Sequence, residues 1–252
     1  MNKYKEICEY CPEEKIKICT GGNIANTFKT MIKNIESEKI AISLSGGVDS
    51  MISSWLLKQI CKKSEIFAIH INYNNRISSI QEMEFVKEWC QEIDLECKII
   101  NIEHLRRINI NDKITCYENN KEICRREYEE KTKNIRFSAY EDLNCRIVLG
   151  HNKDDLIENI ITNICNNKLK QLGGMKKSSI INNVHIERPM LNISKQEIYD
   201  YAKRTNIPYL NDSTPAWSRR GKLRDSFVPI IKEIEPNFIN GLHNLLEQNK
   251  LL

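Results

Sequence analysis

The chain has 252 residues, of which 29% are charged and 40% hydrophobic, and its formal net charge at pH 7 is +4. This length predicts one main domain with room for a small appendage, and the composition is typical of a soluble globular protein. No stretch approaches the ~18 apolar residues of a membrane-spanning helix, so we expect no membrane partner. The small positive charge does not by itself indicate a nucleic-acid partner, which would need local basic clusters.

The ten cysteines are predicted to be reduced thiols. The N-terminal stretch MNKYKEICEYCPEEK is charged throughout, unlike a signal peptide, and this favours a cytoplasmic protein over a disulfide-bonded secreted one. Residues 1–36 are interpreted as a small extension that carries Cys8, Cys11 and Cys19. These thiols are candidate Zn²⁺ ligands, although a tetrahedral structural site would need a fourth ligand from elsewhere in the fold.

Apolar strands and amphipathic helices are predicted to alternate between residues 39 and 165. This alternation predicts an α/β fold with a doubly wound parallel sheet, because parallel strands need crossover connections. Ligands bind outside the carboxyl ends of such strands. The predicted strands are 39–43, 65–73, 95–102 and 145–150, and the predicted helices are 50–61, 79–93, 121–143 and 154–165.

The C-terminal part of the chain carries a capping box, in which Ser194 is the N-cap of a helix and Glu197 reaches back. Ile207-Pro208 is predicted to end that helix. A polar, basic segment from Asn211 to Arg224 is predicted to be a loop that leads into a closing helix. Residues 216–252 are therefore expected to complete the same domain as residues 37–215.

The turn SGGVDS, residues 45–50, joins the first predicted strand to the first predicted helix. Consecutive backbone N–H groups at a helix N-terminus form an anion cradle, and the glycines let a phosphate approach. Ser45 and Ser50 can donate hydrogen bonds, and Asp49 can hold a Mg²⁺ ion that bridges phosphate oxygens. The Gly-Lys-Ser/Thr ending of a Walker loop is absent. An ordinary strand-to-helix turn is the alternative.

A second polar turn, GHNKDD, precedes the predicted helix that starts at Asp154. Asp154 and Glu158 share a helix face at i and i+4, and Asp155 lies beside them. Together with Asp49 they can position Mg²⁺ and a base, or they can simply complement the helix dipole. His151 can contact phosphate or base, or be a structural histidine.

Basic residues cluster at several places and are candidates for contacts with an RNA backbone. Trp217 can stack on a base or be buried. The alternative for each cation is a solvated surface position. The candidate RNA-binding residues are Arg125, Arg126, Arg188, Arg219, Arg220, Lys222 and Arg224.

The complete string SGGVDS resembles the pyrophosphate loop of the N-type ATP pyrophosphatases, the PP-loop superfamily. Within it, further stretches are similar in order and spacing to the catalytic domain of tRNA(Ile)-lysidine synthetase. Tyr73 and Asn152 replace histidines of that family's pattern, and Asn159 replaces a threonine. The matching stretches are IHINYNNR (69–76), LGHNKDDLIEN (149–159), LGGM (172–175), RPMLNISKQEIYDYAK (188–203), NDST (211–214) and RRGKLRDSFVPII (219–231).

The resemblance implies a PP-loop catalytic domain at residues 37–215, with ATP and Mg²⁺ as cofactors and a tRNA as partner. It implies that the C2 oxygen of a wobble cytidine attacks the α-phosphate of ATP, and that an amine of free lysine then displaces AMP. A homodimer is a further expectation. The implied catalytic residues are Asp49, Asp154, Asp155 and Glu158. The implied ATP-binding residues are Ser45, Gly46, Gly47, Val48, Asp49, Ser50, His70, Asn72, Gly150 and His151.

Two alternatives stay open at this point. The stretch CEYCPEEKIKIC resembles a fragment of the cysteine-rich ribbon of tRNA thiolases, which would use a sulfur donor, but Gly22 stands where a fourth cysteine would come. Cys116 and Cys124 lie too far apart for the Cys-x-x-Cys of the cluster-dependent thiolases. The other alternative is a non-catalytic nucleotide-binding or RNA-binding module. Many synthetases continue into further tRNA-gripping domains, so the ending at residue 252 weakens the tRNA expectation and leaves adenylation unaffected.

Overall fold

The order of secondary structure follows the predicted alternation, with additions at both ends and in the middle. The computed structural model describes residues 2–35, 39–61, 64–76, 78–110, 113–212 and 218–248. Trp217 lies outside these ranges. The elements are β1 (Cys8–Tyr10), α1 (Gly22–Ile35), β2 (Ile40–Ser43), α2 (Val48–Ile60), β3 (Ile66–Asn72), α3 (Ser79–Glu92), β4 (Glu96–Asn101), β5 (Leu105–Ile110), β6 (Lys113–Glu118), β7 (Lys121–Ile123), α4 (Arg125–Glu141), β8 (Arg146–Val148), α5 (Lys153–Cys165), β9 (Ser178–Ile181), β10 (Val184–Glu187), α6 (Lys195–Thr205), β11 (Tyr209–Leu210), α7 (Arg219–Lys222), a π-helical turn (Leu223–Phe227), α8 (Val228–Ile234) and α9 (Phe238–Gln248).

The central sheet has six strands in the order β4-β3-β2-β8-β10-β9. Five of them run parallel, and β9 pairs antiparallel with β10 at the edge. Successive residues of β2 enter different cores: Ile40 and Ile42 pack with α1, α2 and α3, whereas Ala41 packs with Phe137 and Tyr140 of α4. Helices therefore cover both faces, which confirms the predicted doubly wound α/β sheet.

The two polar turns meet because β2 and β8 are neighbours in this sheet. Ile42 pairs with Val148 in parallel register, so the turn after β2 and the turn after β8 leave the same edge side by side. Parallel pairing therefore brings together residues that are about one hundred positions apart in sequence. The sheet's carboxyl edge is where the predicted ligand site belongs.

A three-stranded antiparallel sheet, β5-β6-β7, was absent from the predicted elements. The predicted helix from Lys121 is wrong at its start, because residues 121–123 pair with β6 and α4 begins only at Arg125. Asn119 and Asn120 have φ angles of 48° and 66°, as a tight hairpin turn requires. The Cys124 thiol accepts a hydrogen bond from the Glu127 N–H at the start of α4.

The N-terminal residues pack into the same core as the central sheet. β1 pairs with β11, and α1 buries Phe28 and Ile32 against α2. The basic segment from Arg219 to Arg224, predicted as a loop, is helical, because Ser218 caps α7 by accepting from the Gly221 N–H. In the part of the chain that the structure describes, no helix has the length and apolar character needed to cross a membrane.

Candidate active site

A cavity of about 750 Å³ opens at the carboxyl edge of the central sheet. The turns after β2 and β8 form its floor, and side chains from β3, α6 and α7 complete the walls. Most of the predicted site residues line it. They are Ser45, Gly47, Val48, Asp49, Ser50, His70, Asn72, Gly150, His151, Asp154, Asp155, Glu158, Arg188, Arg220 and Arg224.

The turn after β2 is held by its own hydroxyl groups. The Ser45 N–H donates to Ser50 Oγ at 3.1 Å, and Ser50 Oγ donates to the Gly47 carbonyl at 2.9 Å. Gly47 is the N-cap of α2 and has no side chain to satisfy the first N–H groups of the helix. These donors therefore face the cavity, in the arrangement that binds an anion.

At two positions of the site, Gly46 and Gly150, any larger side chain would clash with neighbouring atoms. Gly46 has a φ of +89°, and a Cβ atom built on it would lie 2.4 Å from Leu210 Cδ1. Gly46 shapes the turn in this way, and its predicted part in ATP binding stays a prediction. At Gly150 a Cβ atom would lie 2.9 Å from the Asp49 Cβ, so this glycine lets the two turns approach.

The Asp49 carboxylate accepts hydrogen bonds from two side chains that belong to other parts of the fold. Its Oδ1 accepts from Asn152 Nδ2 at 2.9 Å, and its Oδ2 accepts from Lys195 Nζ at 2.5 Å. Asn152 is 2% exposed and also caps α5, because its Oδ1 accepts from the N–H groups of Asp154 and Asp155. Asn152 thus connects the turn after β2, which carries Asp49, to the turn after β8, which carries Asp154 and Asp155.

The acidic residues at the start of α5 interact with two different parts of the chain, α7 and the start of α6. Arg220 of α7 forms ion pairs with both Asp155 and Glu158, its Nε lying 2.6 Å from Glu158 Oε2. Asp154 instead accepts the backbone N–H of Lys195 at 2.9 Å. Asp154 and Glu158 lie four residues apart on α5, as predicted, but the side chain that shares a cation with Glu158 is Asp155.

Glu158 is 6% exposed. Burial raises its pKa to about 7, because desolvation disfavours the charged form, and the Arg224 charge opposes this shift. The ion pair with Arg220 also favours the charged form. Glu158 is thus a carboxyl group whose charge depends on what else occupies the cavity.

The half-buried His151 and the buried Arg188 form a hydrogen-bonded pair on the cavity wall. Arg188 is 4% exposed, which excludes the surface position considered for it, and its Nε donates to His151 Nδ1 at 3.1 Å. Burial and the neighbouring arginine lower the pKa of His151 to about 3. The ring is therefore neutral, and with Nδ1 accepting, its proton lies on Nε2.

His70 and Asn72 line the cavity from β3. The His70 Nδ1–H donates to the Leu44 carbonyl at 2.8 Å, and burial lowers its pKa, so this ring is also neutral. Asn72 donates to Asn101 Oδ1 and accepts from the Asn74 N–H. Both side chains thus support the cavity wall through structural hydrogen bonds.

The remaining predicted RNA contacts fall in different places. Arg125, Arg219 and Lys222 line a second, smaller cavity, while Arg126 is exposed and lines neither one. Arg224 forms ion pairs with Asp212 and Asp225 at the rim of the large cavity. The predicted RNA contacts are thus divided between two cavities and one exposed position, and their role in RNA binding stays a prediction.

The metal predictions have different outcomes. In the described ranges no group of three His, Cys, Asp or Glu side chains is arranged to hold a metal ion, so Zn²⁺ at Cys8, Cys11 and Cys19 is not supported. Magnesium needs only one or two carboxylates when it also binds phosphates. Asp49 at the anion-binding turn has the oxygen donors for that role, and Lys195 now neutralises it.

The sequence interpretation missed the roles of Asn152 and Lys195. Asn152 was noted only as a replacement for histidine, although an Asn three residues before Asp155 is a capping signal. Lys195 follows the N-cap Ser194, where its ammonium reaches Asp49 across 146 positions of sequence. No local pattern indicates such a contact.

A family model described as the PP-loop domain matches residues 21–231. The chain is also similar to several enzymes named tRNA(Ile)-lysidine synthase. The relative from Mycoplasma mycoides is 27% identical over 221 residues, which are 84% of this chain and 53% of the relative. The relative from Mesomycoplasma hyopneumoniae is 31% identical over 210 residues, 82% of this chain and 64% of the relative. The one from Staphylococcus aureus is 30% identical over 78% of this chain and 44% of the relative.

This chain thus spans about half to two thirds of the length of these relatives. Among solved structures, the tRNA thiolase NcsA from Methanococcus maripaludis, with its 4Fe-4S cluster, aligns with a TM-score of 0.64 and 19% identity, covering 94% of this chain and 87% of the thiolase. NH3-dependent NAD synthetase from Campylobacter jejuni aligns at 0.50 and 19%, covering 90% and 92%. At these identities the two structures show a shared fold. From the match over residues 21–231 and the geometry of the turn after β2, the chain belongs to the PP-loop domain family.

Proposed function

We propose that this chain is an ATP-dependent tRNA-modifying ligase of the lysidine-synthetase type. It adenylates the C2 carbonyl of the wobble cytidine of an isoleucine tRNA and then joins free lysine to that carbon. The observation that carries the proposal is the juxtaposition of an anion-binding turn with a buried acidic turn in one cavity, 2.9 Å apart through the hydrogen bond between Asn152 and Asp49. The names of the relatives support an isoleucine tRNA as the substrate and lysidine as the product. Free lysine as the amine and a cytoplasmic location are expectations from the sequence.

The triphosphate binds at the turn after β2, where the N–H groups at the start of α2 face the cavity. Asp49 would hold a Mg²⁺ ion at this turn, and the ion would supply Lewis-acid stabilisation of the charge on the departing pyrophosphate. Lys195, whose ammonium lies 2.5 Å from Asp49, would be a second positive charge beside the phosphates. Because the Ser45 and Ser50 hydroxyls bond each other, they keep the turn in shape.

The base binds beside the acidic turn, against His151, Asp155 and Glu158. In the first step the cytidine C2 oxygen attacks the α-phosphorus, forming a C2–O–P bond while pyrophosphate leaves. In the second step the lysine amine attacks C2, the C2–O bond breaks, and AMP departs with that oxygen. The amine must lose a proton, and Glu158 would accept it, because this side chain lines the same cavity and burial raises its pKa to about 7.

The proposal is tested by incubating the protein with ATP, Mg²⁺, lysine and an unmodified isoleucine tRNA that has a CAU anticodon. We expect AMP and pyrophosphate in equal amounts, and a wobble nucleoside heavier by one lysine less one water. The same tRNA with a GAU anticodon is the control and should give neither product. Absence of AMP with the CAU tRNA, at substrate concentrations that saturate the named relatives, would contradict the proposal.

The thiolase alternative is distinguished by the same assay with sulfide in place of lysine. No cysteine is among the described residues that line the large cavity. A sulfur-containing nucleoside formed in preference to a lysine adduct would support the alternative. A non-catalytic module would bind ATP or RNA and release no AMP with either nucleophile.

A further inference from the structure

A second cavity of about 380 Å³ lies beside α7. Its walls come from two parts of the chain, the first residue of α4 and the segment from α7 through the π-helical turn. The lining residues are Arg125, Arg219, Lys222, Leu223 and Phe227. Three cations and two apolar side chains, without a carboxylate among the described lining residues, make this cavity electrostatically suited to an anion that also carries an apolar face.

Phe227 is the apolar side chain of this cavity that remains accessible. It is 42% exposed and belongs to none of the hydrophobic clusters of the described residues, whereas Leu223 packs on the cluster formed by α5 and α9. An exposed aromatic ring beside cations is a stacking platform for nucleic-acid bases. The π-helical turn that presents Phe227 is a rare conformation that occurs frequently at functional sites.

Two of the cations have partners at exposed positions of the protein surface. Arg125 forms an ion pair of 2.7 Å with Glu129, and both side chains are about half exposed. Arg219 donates to Asn166 at 3.0 Å on the surface. Because exposed pairs of this kind contribute little to stability, a phosphate can replace these partners at small cost.

The four residues of α7 connect this cavity to the candidate active site. Arg220 points into the large cavity and pairs with Asp155 and Glu158, whereas Arg219 and Lys222 line the small one. One polynucleotide strand can therefore place a base in the large cavity and its neighbour in the small one. Consecutive nucleotides are separated by a single phosphate, and Arg219 and Arg220, which line different cavities, are consecutive residues of α7.

We propose that the small cavity, defined by Arg125, Arg219, Lys222, Leu223 and Phe227, binds the nucleotide next to the modified base of an RNA substrate. The three cations contact its phosphate, and its base stacks on Phe227. This inference rests on the proposed function for the identity of the neighbouring base. The binding surface itself requires only single-stranded RNA.

The test measures the affinity of the full chain for two fluorescent probes, the CAU isoleucine tRNA and a mixed-sequence single-stranded RNA heptamer, over a series of salt concentrations. Phe227→Ala should weaken both complexes about 5- to 100-fold, and Phe227→Tyr should restore the affinity, because stacking needs an aromatic ring. Lys222→Ala and Arg219→Ala should each lower the slope of log affinity against log salt by about 0.7 to 1.

Matched controls come from residues that line neither cavity. Lys29→Ala removes an exposed lysine of α1, and Ile234→Ala removes an exposed apolar side chain of α8. Both should leave the two affinities and the salt slope as in the wild type. Thermal unfolding of each variant shows that the comparison is made between folded proteins.

The inference is overturned if Phe227→Ala and Lys222→Ala bind both probes like the wild type, or if the wild type binds neither probe. Failure of the proposed function would give a different pair of results. The wild type would then form no lysine adduct, while the heptamer would still lose affinity with Phe227→Ala. Normal adduct formation together with unchanged affinities in every variant would leave the function standing and remove the small cavity from it.

Discussion

The two sides of the large cavity are built in different ways. On the phosphate side, the turn of residues 45–50 is held by hydrogen bonds among its own residues, and its donors are backbone groups. On the acidic side, Asp155 and Glu158 are neutralised by Arg220, which lies 62 positions beyond Glu158 in the sequence. The first side is fixed by local structure, whereas the second depends on how the C-terminal helices pack.

We expect the largest loss of catalytic rate from a substitution on the phosphate side. Asp49→Asn keeps the shape of the side chain and removes the charge that faces Lys195 and, in the proposed function, Mg²⁺. We expect pyrophosphate release to fall about 10²- to 10³-fold, the usual cost of losing one electrostatic contact to the transition state. Thermal stability should change little. A rate within a factor of five of the wild type would show that Asp49 is not part of the reaction.

On the acidic side the expected effect is a pH dependence. Glu158 has a folded-state pKa of about 7 against a value of 4.5 when unperturbed, so the folded state binds the proton more tightly than the unfolded state. The stability of the wild type should therefore fall as the pH rises from 4.5 to 7, by as much as ~3 kcal/mol. Arg220 reduces this loss wherever its ion pair is maintained.

The measurement is chemical unfolding at several pH values for the wild type and Glu158→Gln. The variant should lose this part of the pH dependence, whereas Glu122→Gln, at an exposed position of β7, should keep it. Parallel stability curves for the wild type and Glu158→Gln would mean that Arg220 holds Glu158 charged throughout.

The smallest expected effect is a difference in stability between alanine substitutions at Gly46 and at Gly47. Gly46→Ala places a Cβ atom 2.4 Å from Leu210 at a φ of +89°, and should cost about 1–3 kcal/mol of unfolding free energy. Gly47→Ala is the matched control, because its φ is −71° and the nearest atom to a Cβ lies 3.6 Å away. Equal stability losses in the two variants would contradict the packing of Leu210 against this turn.

The phosphate side was predictable from the sequence because its structure is local. A short apolar strand, two glycines and an acidic helix start follow one another within ten residues, and the structure confirms the strand, the turn and the helix. The alternation of strands and helices also sufficed for the parallel sheet. The positions of the two turns at neighbouring strand ends follow from that sheet.

The acidic side was predictable only in part. The carboxylates were identified, but the pairing of Asp155 with Arg220 arises from the tertiary packing of α7. On the phosphate side, the contact of Lys195 with Asp49 arises in the same way from the packing of α6. The strands β5 to β7 were absent from the prediction. The charged residues around Lys121 favour a helix, but residues 121–123 form a strand because they pair with β6. Arg188 shows the same limit, since no local signal indicates that this cation is buried beside His151.

In the proposed function the C2 oxygen of the base attacks ATP in the large cavity, and isotope transfer distinguishes this step from hydrolysis of ATP by water. An isoleucine tRNA carrying ¹⁸O at C2 of its wobble cytidine is incubated with the protein, ATP, Mg²⁺ and lysine, and the released AMP is analysed by mass spectrometry. We expect one ¹⁸O atom in each AMP that is formed together with a lysine adduct. AMP that contains only ¹⁶O would contradict the proposed attack.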